Sequence, residues 1–581
     1  MIDRDSIKKY FDKEAETAKA NWDKLMALPD KDRVRKRRAI TSVYLDKVFE
    51  KVSENGYALR RVSLSSNLSD FKEGDALLLH KSGASFGIPC TLFDISDDSA
   101  IIEVYPPNLP SEISGYYEGP LCLDRNCVDL RDNVYNHFIW EAPDDDTYWR
   151  EMVVNTRKAP VFEDEDKNRL ELEETVESFQ LKLLPRQEEA ILKSMSARDY
   201  YLIQGPPGTG KSFVLSVIIL EELAYFNHKV AIIGPNHMAI NNAMEQVLRL
   251  YPSTWSIMGK IGQSYNSPRE KVLYKEEECG ITNILYLNVG EANELKPPVL
   301  YGLTPHSLYT RRARGLEFDT LIIDEAGQMT VPLALMGMIK CKKVILAGDH
   351  KQLAPIVPET IEGDLSRSVF ESLLTDDNCT MLDTSFRMCE PICNFVSKLF
   401  YDGKVKPIKN GYSERLICDS PLYSFSCPVV FHDVDDDGMQ VSDKEAEFIV
   451  DTIKGFLDHG LDAKDMAVLS PFRAQAANIR RRIKKIEGYP EEDLALIKSD
   501  TVDKMQGQER EVIFYSITAG DPDYVSEMAD FIANPNRLNV AFSRAKSKLI
   551  IVGNFARLKE LDMEAYPHIG RMLEVKEPVF Q

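Results

Sequence analysis

The sequence predicts an α/β protein in which two doubly wound parallel-sheet domains stand in tandem behind a helical stalk and a small β-barrel. Three observations carry that reading. From Leu184 onward the strand-length apolar runs Lys229-Val-Ala-Ile-Ile233, Pro298-Val-Leu-Tyr-Gly302, Thr320-Leu-Ile-Ile-Asp324 and Lys343-Val-Ile-Leu-Ala347 alternate with helical runs, as in a parallel sheet covered on both faces. A second such series follows with Pro428-Val-Val-Phe431, Met466-Ala-Val-Leu469, Glu511-Val-Ile-Phe-Tyr515 and Lys548-Leu-Ile-Ile-Val552. Ahead of both, short β segments between Tyr57 and about Trp140, such as Asp75-Ala-Leu-Leu-Leu-His80 and Ala100-Ile-Ile-Glu-Val-Tyr105, are separated by Gly, Pro, Asn and Asp, which suits a small barrel.

In chain order, Ile7, Phe11, Ala18, Trp22 and Leu25 recur at helical spacing until Pro29, and a second helical run is expected from Asp32 to Ser53. These form a stalk over residues 1–56. The barrel is assigned to 57–143, and an acidic connector with a stalk helix to 144–181. The first α/β domain covers 182–358 and the second 359–581.

At 581 residues the chain is too long for one core. Its N-terminus is charged throughout, with no signal-peptide core. The longest apolar run, Phe213 to Phe226, is interrupted by Glu221 and Glu222 and is shorter than the roughly 20 residues a bilayer needs. A cytoplasmic protein, or a nuclear one in a eukaryote, is expected, with no membrane partner. Ten scattered cysteines lack a zinc-ligand pattern and read as reduced thiols. A net charge of −21 excludes coating of nucleic acid by bulk electrostatics but not a local groove.

The chemistry begins at Tyr200-Tyr-Leu-Ile-Gln204, a short strand running into Gly205, Pro206, Pro207, Gly208, Thr209, Gly210, Lys211 and Ser212, with a helical run behind. This is G-x-x-x-x-G-K-[ST], in which backbone N–H groups and a helix N-terminus close on phosphate oxygens. Lys211 then neutralises the β- and γ-phosphates and Ser212 ligates magnesium. About 110 residues on, Asp324 and Glu325 end a strand where open α/β sheets bind ligands. Asp324 suits a magnesium ligand through water, and Glu325 a residue that orients or deprotonates the attacking water. In Gly348-Asp-His-Lys-Gln-Leu353, Gln352 is the candidate γ-phosphate sensor. Arg387 and Arg544 of the second domain are read as arginine fingers, and spacing alone leaves open that they are ordinary surface ion pairs.

The ordered set Leu184-Pro-Arg-Gln-Glu188, Gly205–Ser212, Gly234-Pro-Asn-His237, Gly302-Leu-Thr-Pro305, Asp324-Glu-Ala-Gly-Gln328, Gly348–Leu353, Phe386-Arg387, Ser470-Pro-Phe-Arg-Ala-Gln475, Thr501–Glu509 and Arg537–Lys546 resembles the superfamily 1 helicases. It is most similar to the 5′-to-3′ branch typified by the nonsense-mediated-decay helicase and the immunoglobulin-mu-binding helicase. The resemblance covers about residues 180–555 and implies two RecA-like domains. Gln187 would read the adenine edge and Phe386 would stack on the base. Arg387 and Arg544 would be the fingers, and Glu509 would contact the nucleotide. Pro235, Asn236, Thr304, Ser307, Pro471, Thr501 and Val502 would line a single-strand groove. Two departures stand out. Gly234-Pro-Asn-His-Met238 lacks the usual Thr-Asn pair, and the interval Ser267 to Pro297, where relatives insert an RNA-contacting subdomain, is short and acidic. The function implied is a monomeric helicase or translocase using ATP and Mg2+ on single-stranded DNA or RNA, with a recruiting partner unspecified. The alternative is a nucleotide-switched clamp or ribonucleoprotein remodeller without processive unwinding.

Overall fold

The computed structural model describes the chain except for residues 1, 53–57, 66–68, 70, 72–74, 85–86, 97, 105–118, 142–148, 151–153, 251–260, 264–280, 284–293, 311–312, 359, 410–417, 506, 576–578 and 581. Helix α1, Arg4–Met26, starts at an Asp3 cap: the Asp3 carboxylate accepts the Ser6 N–H at 2.7 Å and the Ser6 hydroxyl accepts the Asp3 N–H at 2.9 Å. Such a reciprocal cap satisfies two of the four N–H groups a helix start leaves open. Only Ile7, Tyr10 and Phe11 of α1 are buried. The buried face is therefore one turn and a half long, and farther along the Trp22 indole N–H donates to the Arg125 carbonyl at 2.8 Å.

The expected second helix is short. Helix α2 covers Asp30–Arg35, and Ala39–Val52 is strand β1. The reason is visible in burial: Val43 and Leu45 face inward while Tyr44 between them is 49% exposed, a period of two. The charged residues interleaved from Asp46 to Lys51 mimic an amphipathic helix, but β-branched and aromatic residues fit the pleat better. Strand β1 joins β2 (Ala58–Leu64), β3 (Ala76–Lys81), β4 (Ile88–Ile95), β5 (Ser99–Val104) and β6 (Leu121–Arg125) in a closed antiparallel barrel of order β1-β2-β5-β4-β3-β6. Closure leaves no free strand edge. Helix α2 is fastened to it by the buried Arg33, whose guanidinium donates to Asp124, the same carboxylate that meets His80 Nε2 at 2.7 Å.

Behind the barrel come α3 (Asn136–Glu141), α4 (Glu165–Ser178) and α5 (Pro185–Ser196), and then the first RecA-like domain. Its sheet comprises β7 (Tyr200–Gln204), β8 (Lys229–Ile233), β9 (Ile261–Gln263), β10 (Ile281–Asn283), β11 (Val299–Leu303), β12 (Phe318–Ile323), β13 (Cys341–Gly348) and β14 (Cys379–Met381), all parallel, in the order β10-β9-β11-β8-β12-β13-β7-β14. Alternate residues serve two separate cores: Leu202, Ile233, Leu321 and Leu346 face one, and Ile203, Ile232, Ile322 and Ala347 the other. Helices α6 (Lys211–Ala224) and α7 (His237–Leu250) cover the second of these faces. The first face is shared with α1 and α3, because Ile7, Tyr10, Phe11 and Phe138 belong to the same core.

The second domain opens with the paired β15 (Thr384–Cys389) and β16 (Lys406–Lys409). Its main sheet contains β17 (Val429–Asp433), β18 (Met466–Ser470), β19 (Lys498–Thr501), β20 (Arg510–Ser516), β21 (Ala545–Gly553) and β22 (Val579–Phe580), in the parallel order β19-β18-β20-β21-β17-β22. Two tandem RecA-like domains with a helical stalk and a barrel are thus the observed architecture. Among the described residues no helix is long and apolar enough to cross a membrane, and no disulfide joins two cysteines.

One charged cluster sits inside the first domain. Lys343 Nζ donates to Glu222 Oε1 at 2.8 Å and to the Met195 carbonyl at 3.1 Å, and the other oxygen of Glu222 meets Thr320 and His228. Burial pushes the Glu222 carboxyl upward, but Lys343 and the hydrogen bonds outweigh it and bring it down to about 2. Lys343→Met should therefore destabilise the first domain by about 3–5 kcal/mol, because it leaves a buried carboxylate without its cation. Urea unfolding of both proteins measures this, and a loss under about 1 kcal/mol would contradict the role.

Candidate nucleotide site and strand groove

Strand β7 and helix α6 are joined by Gly205–Gly210, and Gly208 and Gly210 have φ of +74° and +82°, a region side-chain-bearing residues avoid. At Gly208 space excludes a side chain as well. A Cβ on Gly208 would lie 2.5 Å from Arg387 Cβ, and one on Gly210 would lie 2.9 Å from Gln187 Nε2. The loop is therefore pressed between α5 of its own domain and β15 of the second.

Lys211, the first residue of α6, reaches across to the end of β12, where Nζ lies 3.0 Å from Asp324 Oδ1 and 2.8 Å from Glu325 Oε1. Burial works against the ammonium, yet the two carboxylates hold its pKa above the ordinary lysine value. The carboxylates respond unequally. Burial, reinforced by the Glu325 charge, outweighs the lowering by Lys211 and leaves Asp324 raised, whereas Lys211, Arg544 and the Gln328 amide, bonded at 3.1 Å, outweigh burial at Glu325 and lower it. Glu325 itself sits in the left-handed region at φ +54°, a strained position of the kind that clusters at functional sites. Ser212, half-buried, follows Lys211 on the first turn of α6.

The second domain closes the other side. Arg387 donates through Nε to Glu509 and through Nη1 to the Ser543 carbonyl at 3.2 Å, and Glu509 also pairs with Lys546 at 2.8 Å. Arg544 differs from it. It is 3% exposed, donates only to the Val540 and Gln508 carbonyls and the Ser543 hydroxyl, and has no carboxylate within 4.0 Å among the described residues. Burial, and next the neighbouring Arg387, pull its guanidinium down to about 9. A buried cation so poorly compensated favours an incoming anion.

On the base side, Gln187, Gly210 and Phe386 converge. The Gln187 amide accepts the Leu184 N–H at 3.0 Å and donates to the Thr209 carbonyl at 3.2 Å, while Phe386 is 39% exposed and donates its backbone N–H to Gly208 at 2.8 Å. Gln187, Lys211, Ser212, Asp324, Glu325, Phe386, Arg387, Glu509 and Arg544 thus meet around one cleft. Gln352 lies on the turn after β13, where its amide donates to Asp349 at 2.9 Å.

The expected strand-lining residues occupy other strand ends. Pro235 and Asn236 follow β8, and Thr304 and Ser307 follow its neighbour β11. The Thr304 and Ser307 hydroxyls are 2.7 Å apart, and Asn236 Oδ1 caps α7 through the Ala239 N–H. In the second sheet Pro471 follows β18, and Thr501 ends the adjacent β19. The Val502 side chain is fully buried in the domain core, so only its backbone is left to face a strand. The Ser267–Pro297 interval lies largely outside the described residues.

Two AAA-domain family models match the chain, one over residues 182–274 and 304–359 and the other over 365–556. The chain is 29% identical over 444 residues to DNA polymerase alpha-associated DNA helicase A of Schizosaccharomyces pombe, covering 66% of this chain and 65% of that one. It is 27% identical over 432 residues to regulator of nonsense transcripts 1 of Dictyostelium discoideum, covering 65% of this chain and 31% of that one. The chain belongs to the superfamily 1 helicases. Within that superfamily it stands in the branch of the nonsense-transcript regulators. It also resembles an uncharacterised ATP-dependent helicase of Methanocaldococcus jannaschii, at 26% identity over 66% of this chain and 70% of that one. The chain spans 65% of the fission-yeast relative's length and less than a third of the Dictyostelium protein's. Among solved structures, the arterivirus nonstructural protein 10 helicase aligns over 86% of this chain and 77% of its own, with a TM-score of 0.38 and 12% identity, a likeness too loose to bear on function.

The helicase motifs leave some of the cleft's polar residues unassigned. Asp349, Tyr401 and Asn539 are buried beside Gln352 and join the two domains. Asp349 lies inside the motif read for Gln352 and Asn539 inside the Arg537–Lys546 motif, but nothing local marks Tyr401.

Proposed function

We propose that the protein is an ATP-dependent helicase or translocase that binds magnesium-ATP between its two α/β domains and converts hydrolysis into 5′-to-3′ stepping along one strand of DNA or RNA. The observation that carries this reading is the cleft, in which the glycine loop and the Asp324–Glu325 pair face a buried, carboxylate-free Arg544. The loop fits a phosphate chain because Gly208 and Gly210 take a left-handed backbone that side-chain-bearing residues avoid. The Ser212 hydroxyl and Asp324 carboxylate are hard oxygen donors of the kind that hold magnesium, which would supply charge neutralisation at the phosphates. With phosphate present, Lys211 exchanges its carboxylate partners for phosphate oxygens. Glu325, released, is then placed to orient water and accept its proton. Gln187 reads the adenine edge and Phe386 stacks on the base. Arg387 and Arg544 meet the charge that develops on the γ-phosphoryl group, and Gln352 senses that group. Because the arginines come from the second domain, turnover depends on closure. The strand runs over the ends of β8, β11, β18 and β19, past Pro235, Asn236, Thr304, Ser307, Pro471, Thr501 and the Val502 backbone, and the protein acts as a monomer.

The test is ATP hydrolysis by the full chain, titrated with matched single-stranded DNA and RNA at stated salt. Stimulation by at least one is expected, and no stimulation by either would refute the reading. A second reading, a nucleotide-switched clamp or ribonucleoprotein remodeller, is favoured by one contact. The Tyr135 hydroxyl meets His306 Nε2 at 3.1 Å, so the turn that leads from the barrel into α3 rests on the segment between Thr304 and Ser307. Stimulated hydrolysis without strand displacement in a parallel assay would select it.

A further inference from the structure

In a chain of net charge −21, the eight residues from Lys31 to Arg38 include six basic ones and a single acid, Asp32. One of the six is taken up inside the protein. Arg33, 2% exposed, donates to both oxygens of Asp124, to Asp30 at 2.9 Å and to the Leu28 carbonyl at 2.8 Å. It thereby pins the turn to the barrel and to the end of α1. Lys31, Arg35, Lys36 and Arg37 are exposed. Arg35 meets Asp32 only at 3.5 Å, with its own side chain 79% exposed, a surface pair of little strength that an incoming anion displaces.

The backbone that carries these cations is fixed as well. After α2 the Arg38 N–H bonds the Arg33 carbonyl at 3.0 Å and the Arg37 N–H bonds the Val34 carbonyl at 2.8 Å. This is the paired closure of a helix C-terminus in which glycine ordinarily takes the left-handed position. Here that position belongs to Arg37, at φ +58°. Glycine would make the same turn with less strain, so the backbone gives no reason for a guanidinium there, and strain of this kind clusters where a side chain has a use. Past the turn, the Arg38 carbonyl accepts the Arg125 N–H of β6 at 3.3 Å.

The turn stands well away from the strand ends that bear Asn236, Thr304, Pro471 and Thr501. Helix α1 sets the distance: Tyr10 bonds Thr330 of the first domain at 3.1 Å, and Trp22 bonds Arg125 of the barrel at 2.8 Å. Met26, the last residue of α1, lies about 24 Å along the helix axis from Tyr10. A ligand that meets the turn while its other end stays in the groove must be a stiff polyanion. Duplex nucleic acid is one, with a charge every 1.7 Å or about that along its axis and a persistence length of about 50 nm.

We propose that the Lys31–Arg38 turn is a second nucleic-acid contact, a phosphate-binding surface for the duplex part of a substrate whose single strand occupies the groove. Arg35, Lys36 and Arg37 are its contacting side chains. The proposal rests on the helicase reading above. Contacts to phosphate oxygens position a duplex without reading its sequence, so the site adds affinity and salt dependence but no sequence preference.

The experiment titrates the wild-type full chain and the triple variant Arg35→Gln/Lys36→Gln/Arg37→Gln by fluorescence anisotropy over a range of salt. The probes are a labelled single strand and the same strand extended into a duplex. The wild-type chain is expected to bind the extended probe more tightly than the bare strand. In the triple variant that advantage should fall about tenfold, and the slope of log K against log salt for the extended probe should become shallower by about two to three, close to one for each phosphate contact removed. Affinity for the bare strand, and ATP hydrolysis stimulated by it, should stay within about twofold of wild type. Arg37→Gly, which removes one cation and relaxes the turn, should lose about one unit of that slope with an unchanged or higher melting temperature. No advantage for the extended probe in the wild-type chain, an advantage kept in the triple variant, or equal losses on both probes would overturn the duplex site. Absence of both bare-strand binding and stimulated hydrolysis in the wild-type chain would instead strike the helicase reading.

Discussion

Arg544→Ala is expected to lower kcat for ATP by about 10³-fold or more, the scale at which arginine fingers act, with a much smaller change in ATP affinity. The expectation follows from contrast within the cleft. Arg387 has a carboxylate partner in Glu509, whereas the buried Arg544 has carbonyl and hydroxyl acceptors alone. An anion that builds up during reaction is the missing compensation, so the gain falls mainly in the transition state. Arg544→Lys tests the geometry: it restores a charge but not the planar fork, and should recover little of the rate. Steady-state kinetics with a nucleotide-binding titration decides the matter. A variant with normal kcat and weakened binding would make Arg544 a ground-state ligand instead.

Glu325→Gln should lower kcat by about 10²–10⁴-fold, the usual contribution of a positioned general base, while leaving nucleotide bound. The half-buried carboxylate is kept ionised by Lys211 and Arg544 against the opposing effect of burial, and its second oxygen is fixed by Gln328. The amide preserves the shape and the bond to Lys211 but cannot accept a proton. A single-turnover measurement on pre-bound ATP isolates the chemical step. Turnover within a few-fold of wild type would move the base elsewhere in the cleft.

What could be read from sequence follows from what is local. Strands β8, β11, β12, β13, β18, β20 and β21 each carry a short continuous apolar run and stand out. Strand β14, with only Cys379–Met381, exists because it pairs with β7, and three residues carry no period. Strand β1 was hidden for the opposite reason, since its charges recur as on a helix surface while Val43 and Leu45 alternate inward. At the cleft, Lys211, Asp324 and Glu325 are each named by a motif at a strand end. The bond from Tyr401 to Asp349 spans 52 residues, and that from Asn539 to Tyr401 spans 138. Pairings of that separation are decided by how the sheets dock, and no neighbouring residue announces them.

The short crossing between the domains has a consequence for release. Only Leu382 and Asp383 separate β14, in the first sheet, from β15, in the second domain, and Leu382 is itself bonded to Gln204. Immediately beyond, the Ser385 hydroxyl donates to the Pro207 carbonyl and the Phe386 N–H to Gly208. The pivot is thus also the back wall of the pocket. If Phe386 stacks on the base as proposed, a rotation of the second domain about this crossing would shift Phe386 and Arg387 against the loop, and exit of spent nucleotide would be tied to separation of the domains.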